Sequence, residues 1–272
     1  MRIHRYLVPL AATALLAACQ TVQTTQPGAV GVDRKQSMST MVSAQAIDQS
    51  AAQAYGAELA KARANGLLNR DPAQTVRVRK IAARLIDQTG AFRPDAKDWP
   101  WAINVETSKE INAYCMPGGR IMVYTGLIDK LNLTDAELAT VMAHEISHAL
   151  REHSREQVSR KMDEQVGLTA LAGIAGLNNA SMQLASLLSD VTFNLPHSRV
   201  QESEADEMGL ELMARAGYDP NAAISLWKKM SALGQGSSSS FLSTHPSSAT
   251  RSADLTALLP KVMPLYQAAN RQ

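Results

Sequence analysis

His144, Glu145 and His148 spell the pentapeptide HEISH, and residues of these types at this spacing can carry metal-assisted hydrolysis. Four residues along an α-helix advance about 400°, so the two histidines sit one turn apart on one face, where two imidazoles can grip a single ion. Glu145 then lies beside the metal rather than on it. That position suits a general base, which takes a proton from water that zinc has already acidified to a pKa of about 7. Catalytic zinc usually takes three protein ligands, so a further carboxylate or histidine must come from elsewhere in the chain. In the segment RVQESEADEMGL, Glu202 and Asp206 repeat the i, i+4 spacing of the histidines. One carboxylate can bind the ion while the other accepts the N–H of a ligating imidazole and fixes its tautomer. Glu204 and Glu207 compete for the ligand role, and spacing favours Glu202 because Asp206 follows it by one turn.

Helices and strands must position these groups. Thr134-Asp135-Ala136-Glu137 makes a capping box, and Leu138, Val141, Met142 and Ile146 recur at helical spacing, which predicts a helix from there to about Ser154 or beyond. The Glu202 segment leads into a second helix, whose Leu210, Leu212 and Met213 would pack against the first. Ala102–Glu106, Ile111–Cys115 and Arg120–Tyr124 read as three short strands, with a Pro117-Gly118-Gly119 turn between the last two. Upstream, Ala44 to Ala64 is an Ala-rich helix, and Asp71-Pro72 caps and opens another that runs to about Gln88. Asp219-Pro220 starts a further helix through Met230. The class expected is α+β, mainly helical, with a small three-stranded sheet beside the HEISH helix.

HEISH followed by QESEAD resembles the HExxH and ExxAD pair of the gluzincin metallopeptidases of the HtpX and CAAX-prenyl-endopeptidase type, in particular their periplasmic lipoprotein members. The resemblance extends to NAYCMPGGRIMVYTGL (residues 112–127) and to Ser243-Thr244-His245-Pro246 with Arg251, covering roughly residues 75 to 265. It implies a zincin-like core and one Zn2+ per chain held by His144, His148 and Glu202, with Asp206 in support and Glu145 as base. It makes Arg120, Ile121, Met122, Val123 and Tyr124 a sheet edge bordering the cleft, where an extended chain binds by main-chain hydrogen bonds with little sequence preference. His245 precedes a proline and so hangs from a stiff, extended backbone. The resemblance gives it two possible roles, a fourth ligand in a closed resting state or an oxyanion donor, and Arg251 could assist the same oxyanion. The implied activity is endopeptidase action on unfolded or misfolded envelope proteins. The alternative is a chaperone or assembly factor that works with the outer-membrane protein assembly machinery and cuts little. Among the remaining histidines, His153 is five residues past His148 and turns about 140° off the ligand face of a continuous helix, so it is expected in solvent. His197 reads as a surface or rim residue.

Met1-Arg2-Ile3-His4-Arg5 with the apolar Tyr6–Ala18 reads as a secretory signal, and Leu16-Ala17-Ala18-Cys19 resembles a lipobox. The expected organisation is a lipoprotein signal over 1–18, a lipidated tether over 19–40 attached through Cys19, and one metallopeptidase domain over 41–272. Gln20 after the cysteine points by family analogy to the outer membrane, facing the periplasm. The apolar 166–188 segment is broken by Asn178-Asn179 and falls short of the roughly 20 residues of a membrane span; it reads as one or two buried helices. Gly234-Gln235-Gly236 and the following serines look like a hinge ahead of His245. The 27 basic and 25 acidic residues become 25 and 25 once Arg2 and Arg5 are removed, and aromatics make up 4%. Neither many phosphates nor stacked bases can be served, so nucleic acid is excluded as a partner. With Cys19 acylated, Cys115 is left without a disulfide partner and is expected to be buried in a strand.

Overall fold

The computed structural model describes residues 19–171, 180–233, 239–246 and 250–271. Residues 1–18, expected to be a signal, residues 172–179 of the apolar segment and residues 234–238 of the Gly/Ser run lie outside these. In chain order the elements are β1 (Cys19–Val22), β2 (Gln36–Ser39), α1 (Ala44–Ala64), α2 (Pro72–Ile86), β3 (Ala102–Glu106), β4 (Ala113–Met116), β5 (Arg120–Tyr124), α3 (Thr125–Lys130), α4 (Asp135–Leu150), α5 (His153–Leu171), α6 (Ala180–Phe193), α7 (Arg199–Arg215), α8 (Asn221–Ala232), α9 (Ser240–Thr244) and α10 (Arg251–Ala269). Mainly helical, with a three-stranded sheet beside the HEISH helix and a separate two-stranded one, this is the α+β, zincin-like arrangement expected.

The sheet runs in the order β3-β5-β4, with β3 parallel and β4 antiparallel to β5. Because successive strand residues point to opposite faces, the sheet divides the core in two. Ala113, Cys115, Ile121 and Val123 pack with Leu138, Val141, Met142 and Ile146 of α4, whereas Tyr114, Met116 and Met122 pack with Ile47, Ala51 and Tyr55 of α1 and with Val158, Leu188 and Val191. This order corrects one expectation. Arg120–Tyr124 is the central strand, paired on both sides, so it has no free edge for a substrate, and Arg120 is itself buried and donates to Asp48 at 2.6 Å. The edge that lies against α4 is β4.

Local signals explain the helices that frame the site. Thr134 and Glu137 form the reciprocal capping box of α4, and Ser198 with Gln201 does the same for α7. Asp71 caps α2 through Ala73 N and Gln74 N, with Pro72 at the first helical position. The two site helices pack tightly at Gly209: a Cβ there would lie 3.0 Å from the backbone nitrogen of His144. A hydrogen in place of a side chain is what lets α7 bring its carboxylates to the imidazoles of α4.

The stretch expected as a lipidated tether folds back onto the domain. β1 pairs antiparallel with β2, Gln26 N bonds Phe92 O at 2.7 Å, and Val30 N bonds the buried Glu211 at 2.9 Å. Val30 and Val32 join the main core, so composition misled: few apolar residues suffice when each finds a slot and the polar ones find partners. No helix among the described residues is long and apolar enough to cross a membrane.

Candidate metal centre

His144 and His148, one turn apart on α4, turn their Nε2 atoms to the same point, 3.1 Å from each other. Glu202, in the first turn of α7, places Oε1 3.3 Å from His148 Nε2 and Oε2 3.6 Å from His144 Nε2. His245, at the C-terminal end of α9, adds Nδ1 at 3.2 Å from His144 Nε2 and 3.0 Å from Glu202 Oε1. One ligand atom from each of the four residues lies within 4.8 Å of all the others, and all four residues are buried.

These separations fit zinc. Ligands about 2.05 Å from a tetrahedral ion stand roughly 3.3 Å apart, which is the spacing seen here. The donor chemistry agrees, because buried imidazole lone pairs that face one another at such distances repel unless a cation lies between them. Burial pushes the His148 imidazole well down, keeping it neutral as a ligand must be. Burial alone would raise the Glu202 carboxyl, yet His245 and His144 hold it far below the usual carboxylate range, so it is ionised.

The surrounding groups fix how the ligands point. Asp206, one turn after Glu202, accepts from His144 Nδ1 at 3.0 Å. A carboxylate can only accept here, so the proton sits on Nδ1 and Nε2 is left with its lone pair. Arg251, at the start of α10, donates to Asp206 Oδ1 at 2.7 Å through NH2, to Asp206 Oδ2 through Nε, and to Glu202 Oε2 at 2.9 Å. Its guanidinium also stacks on Trp227, 3.5 Å from the ring centroid. Arg251 is thus a brace behind the carboxylates, and its NH1 has no hydrogen-bond partner among the described residues.

Glu145 stands beside the cluster, with Oε1 3.4 Å from His245 Nε2. Burial pushes its carboxyl up, and the attraction of His245 and His144 and a hydrogen bond from the Cys115 backbone only partly oppose this. A carboxylate raised in this way is a stronger base than one in water. His245 closes the remaining side. Burial pushes its imidazole down, but Glu145 and Glu202 more than offset this and raise it. Phe241 stacks on its ring at 4.5 Å, His197 N donates to Thr244 O at 2.9 Å, and Phe241 N donates to Ile111 O at 3.1 Å, so the His245 loop is pinned to the strand end and the α7 approach. The space left among Cys115, Glu145, His148, His197 and His245 is about 20 Å3, enough for one water.

His153, expected in solvent, and His197, expected at the surface or rim, both stand at this site. α4 stops at Leu150, and Glu152 takes φ +51°, a left-handed conformation uncommon outside glycine. The chain therefore restarts as α5 in a new direction, and His153 swings back, fully buried, with Nδ1 2.8 Å from His148 Nδ1. A 140° offset holds only along an unbroken helix, and nothing in Arg151-Glu152 announces the break. His197 stacks on His148, ring centroids 4.0 Å apart. Its position two residues before Arg199, where α7 begins, is a signal that could have placed it near Glu202. Glu204 does not reach the ion position and instead pairs with Arg34, Arg151 and His153. Cys115 is buried in β4, as expected.

Comparison with known proteins agrees with this geometry. Residues 72–259 match the family model described as Peptidase family M48. The chain is 37% identical over 152 residues to mitochondrial metalloendopeptidase OMA1 of Arabidopsis thaliana, covering 56% of this chain and 30% of that protein. It is 36% identical over 193 residues to mitochondrial metalloendopeptidase OMA1 of Schizosaccharomyces pombe, covering 69% and 53%. To metalloprotease LoiP of Escherichia coli it is 26% identical over 253 residues, covering 92% and 94%. The match thus spans only a third to a half of these two OMA1 proteins but nearly all of LoiP. With the family model matching well over half its length around the His144, His148 and Glu202 cluster, the chain belongs to peptidase family M48.

Proposed function

We propose that this protein is a zinc-dependent endopeptidase. The observation that carries the reading is the convergence of His144, His148 and Glu202 on one point with Glu145 beside it and outside the ligand set. Zinc at that point supplies Lewis acidity, which makes water a nucleophile near neutral pH and draws charge from a peptide carbonyl. The protein's own groups do the rest. Glu145 takes a proton from the attacking water and returns it to the leaving amine, Asp206 and Arg251 hold His144 and Glu202 in register, and β4 offers its main chain to an extended substrate. Recognition through backbone suits unfolded or misfolded polypeptide, and the likeness to metalloendopeptidase OMA1 and metalloprotease LoiP supports peptide-bond hydrolysis.

The arrangement described is a closed one. His245 Nδ1 stands as close to His144 Nε2 and Glu202 Oε1 as the other donors stand to one another, so on giving up its proton it would help hold a bound zinc at rest and would move aside for a substrate. The lipobox-like Leu16-Ala17-Ala18-Cys19 supports attachment through Cys19 to the bacterial outer membrane, facing the periplasm, with envelope proteins as substrates in quality control. Because β1 begins at Cys19 and is paired to β2, such an anchor would hold the domain close to the bilayer. Palmitate labelling of the full chain, lost in Cys19→Ser, tests the anchor. Digestion of unfolded casein tests the activity: cleavage that stops with a chelator and returns with zinc is expected. Binding of casein with no chelator-sensitive cleavage would point instead to a chaperone in outer-membrane protein assembly.

A further inference from the structure

Two histidine ligands leave α4, and each has a carboxylate behind it, but by different routes. His144 meets Asp206 directly. His148 meets His153, whose Nε2 lies 2.9 Å from Glu204 Oε2. Glu204 is surrounded by donors: Arg34 Nε at 2.6 Å and NH2 at 3.0 Å, and Arg151 Nε at 3.2 Å and NH2 at 3.1 Å. A carboxylate so placed accepts only, so the proton of neutral His153 sits on Nε2 and its Nδ1 bears a lone pair. That lone pair faces His148 Nδ1 at 2.8 Å, so His148 must carry its own proton on Nδ1, and its Nε2 is free to coordinate. The order of donors and acceptors is fixed along the whole chain from Arg34 to the ion position.

Arg34 belongs to the segment that folds back over the domain, between β1 and β2. Its guanidinium bridges Glu204 of α7 and Glu156 of α5, the latter through NH1 at 2.6 Å. Gln36, on β2, donates to Arg151 O, and Arg151 NH2 donates in turn to Arg34 O at 2.8 Å. The segment therefore clamps the α4–α5 break, where the left-handed Glu152 turns His153 inward. None of these residues touches the ion position.

We propose that His153 and Glu204 are positioning residues for the metal centre, setting the tautomer and orientation of His148, and that the N-terminal segment, through Arg34, is the part of the fold that holds them in place. The inference rests on His148 being a zinc ligand, as proposed above. It assigns the 20–37 segment a role in metal retention as well as in any tethering.

Zinc affinity of the full chain, measured by chelator competition at one fixed pH, tests this without recourse to activity. His153→Ala should bind zinc about 10–100-fold more weakly, the usual cost of losing a group behind a ligand. His153→Asn, whose side-chain oxygen falls near the Nδ1 position and can accept from His148, should recover most of that loss. Arg34→Ala should weaken binding several-fold, with an unchanged circular dichroism spectrum of the metal-free protein. His148→Ala is the control for the underlying reading: if it retains zinc, the ligand assignment falls. If His148→Ala loses zinc while His153→Ala and Arg34→Ala bind as the parent does, only the positioning role falls. Equal losses in His153→Ala and His153→Asn would also overturn it, because a general packing defect, not the hydrogen bond, would then be responsible.

Discussion

Replacing Asp206 by Asn changes one oxygen to an NH2 group and almost nothing in shape, so its effect isolates the charge and the direction of hydrogen bonds. Asp206 Oδ1 receives His144 Nδ1 at 3.0 Å and Arg251 NH2 at 2.7 Å, while Oδ2 receives Arg251 Nε. An asparagine has two ways to sit. With its oxygen in the Oδ1 place it keeps His144 but points an N–H at the Nε–H of Arg251; turned over, it points N–H groups at both His144 and Arg251 NH2. The first way is less costly, since it leaves one clash in place of two. It still strips a buried guanidinium, 4% exposed, of a charged partner. Breaking a buried ion pair costs about 3–5 kcal/mol when the remaining charge is uncompensated. Arg251 keeps Glu202 Oε2 at 2.9 Å, so the expected loss is near the lower end, about 3 kcal/mol. Zinc affinity should fall as well, about 10–100-fold, because an amide oxygen polarises the His144 N–H less than a carboxylate does. Denaturant unfolding of the metal-free protein reads the first quantity and chelator competition the second. An Asp206→Asn protein as stable as the parent, with zinc held equally tightly, would refute the assignment of Asp206 and Arg251 as the brace of the site.

Glu145→Gln should lower kcat on unfolded casein by about 10²–10⁴-fold, the usual share of a general base, with zinc content unchanged because Glu145 is outside the cluster of four donors. Metal analysis alongside the assay checks both halves. Gly209→Ala puts a methyl group 3.0 Å from His144 N, so α4 and α7 must separate slightly; a loss of about 1–3 kcal/mol in denaturant unfolding is expected, together with weaker zinc binding. For acid stability, burial alone would raise the Glu204 carboxyl, but hydrogen bonds from His153 and Arg34 bring it down to about 2 from 4.5. A depressed folded pKa contributes stability that is present above pH 4.5 and is lost as pH falls towards 2, about 3 kcal/mol in all for a side chain 7% exposed. Glu204→Gln should flatten that part of the stability profile, and an unchanged acid limb would show that the contacts of Glu204 are not formed.

Short-range patterns carried much of this protein into view. The ends of α1 and the caps of α2 and α4 follow from Ala64, Asp71-Pro72 and the Thr134–Glu137 box, because capping is decided by neighbours within a turn. The convergence of His144, His148 and Glu202 was legible for the same reason, since i, i+4 spacing on each helix fixes which side chains share a face. Strand order was not. That β5 lies between β3 and β4 depends on a parallel pairing across intervening chain, which no local signal states, and so the substrate edge was placed on Arg120–Tyr124 instead of β4. His153 was missed because one residue with positive φ redirects the chain, and Glu152 is not a residue type that advertises this. The 20–37 segment was misread because its stabilising contacts, Arg34 with Glu156 and Glu204 and Val30 N with Glu211, lie more than a hundred residues away in sequence.

On the proposed function, α4 and α7 share one zinc ion. Metal analysis of the purified full chain, with His148→Ala and Glu202→Ala in parallel, tests it most directly. One zinc per parent chain is expected, with nitrogen and oxygen ligands about 2.0–2.1 Å away by X-ray absorption, and loss of the metal together with casein cleavage in both variants. A parent chain that cleaves without stoichiometric zinc, variants that keep it, or a sulfur ligand near 2.3 Å from Cys115 would rule out a zinc held by His144, His148 and Glu202.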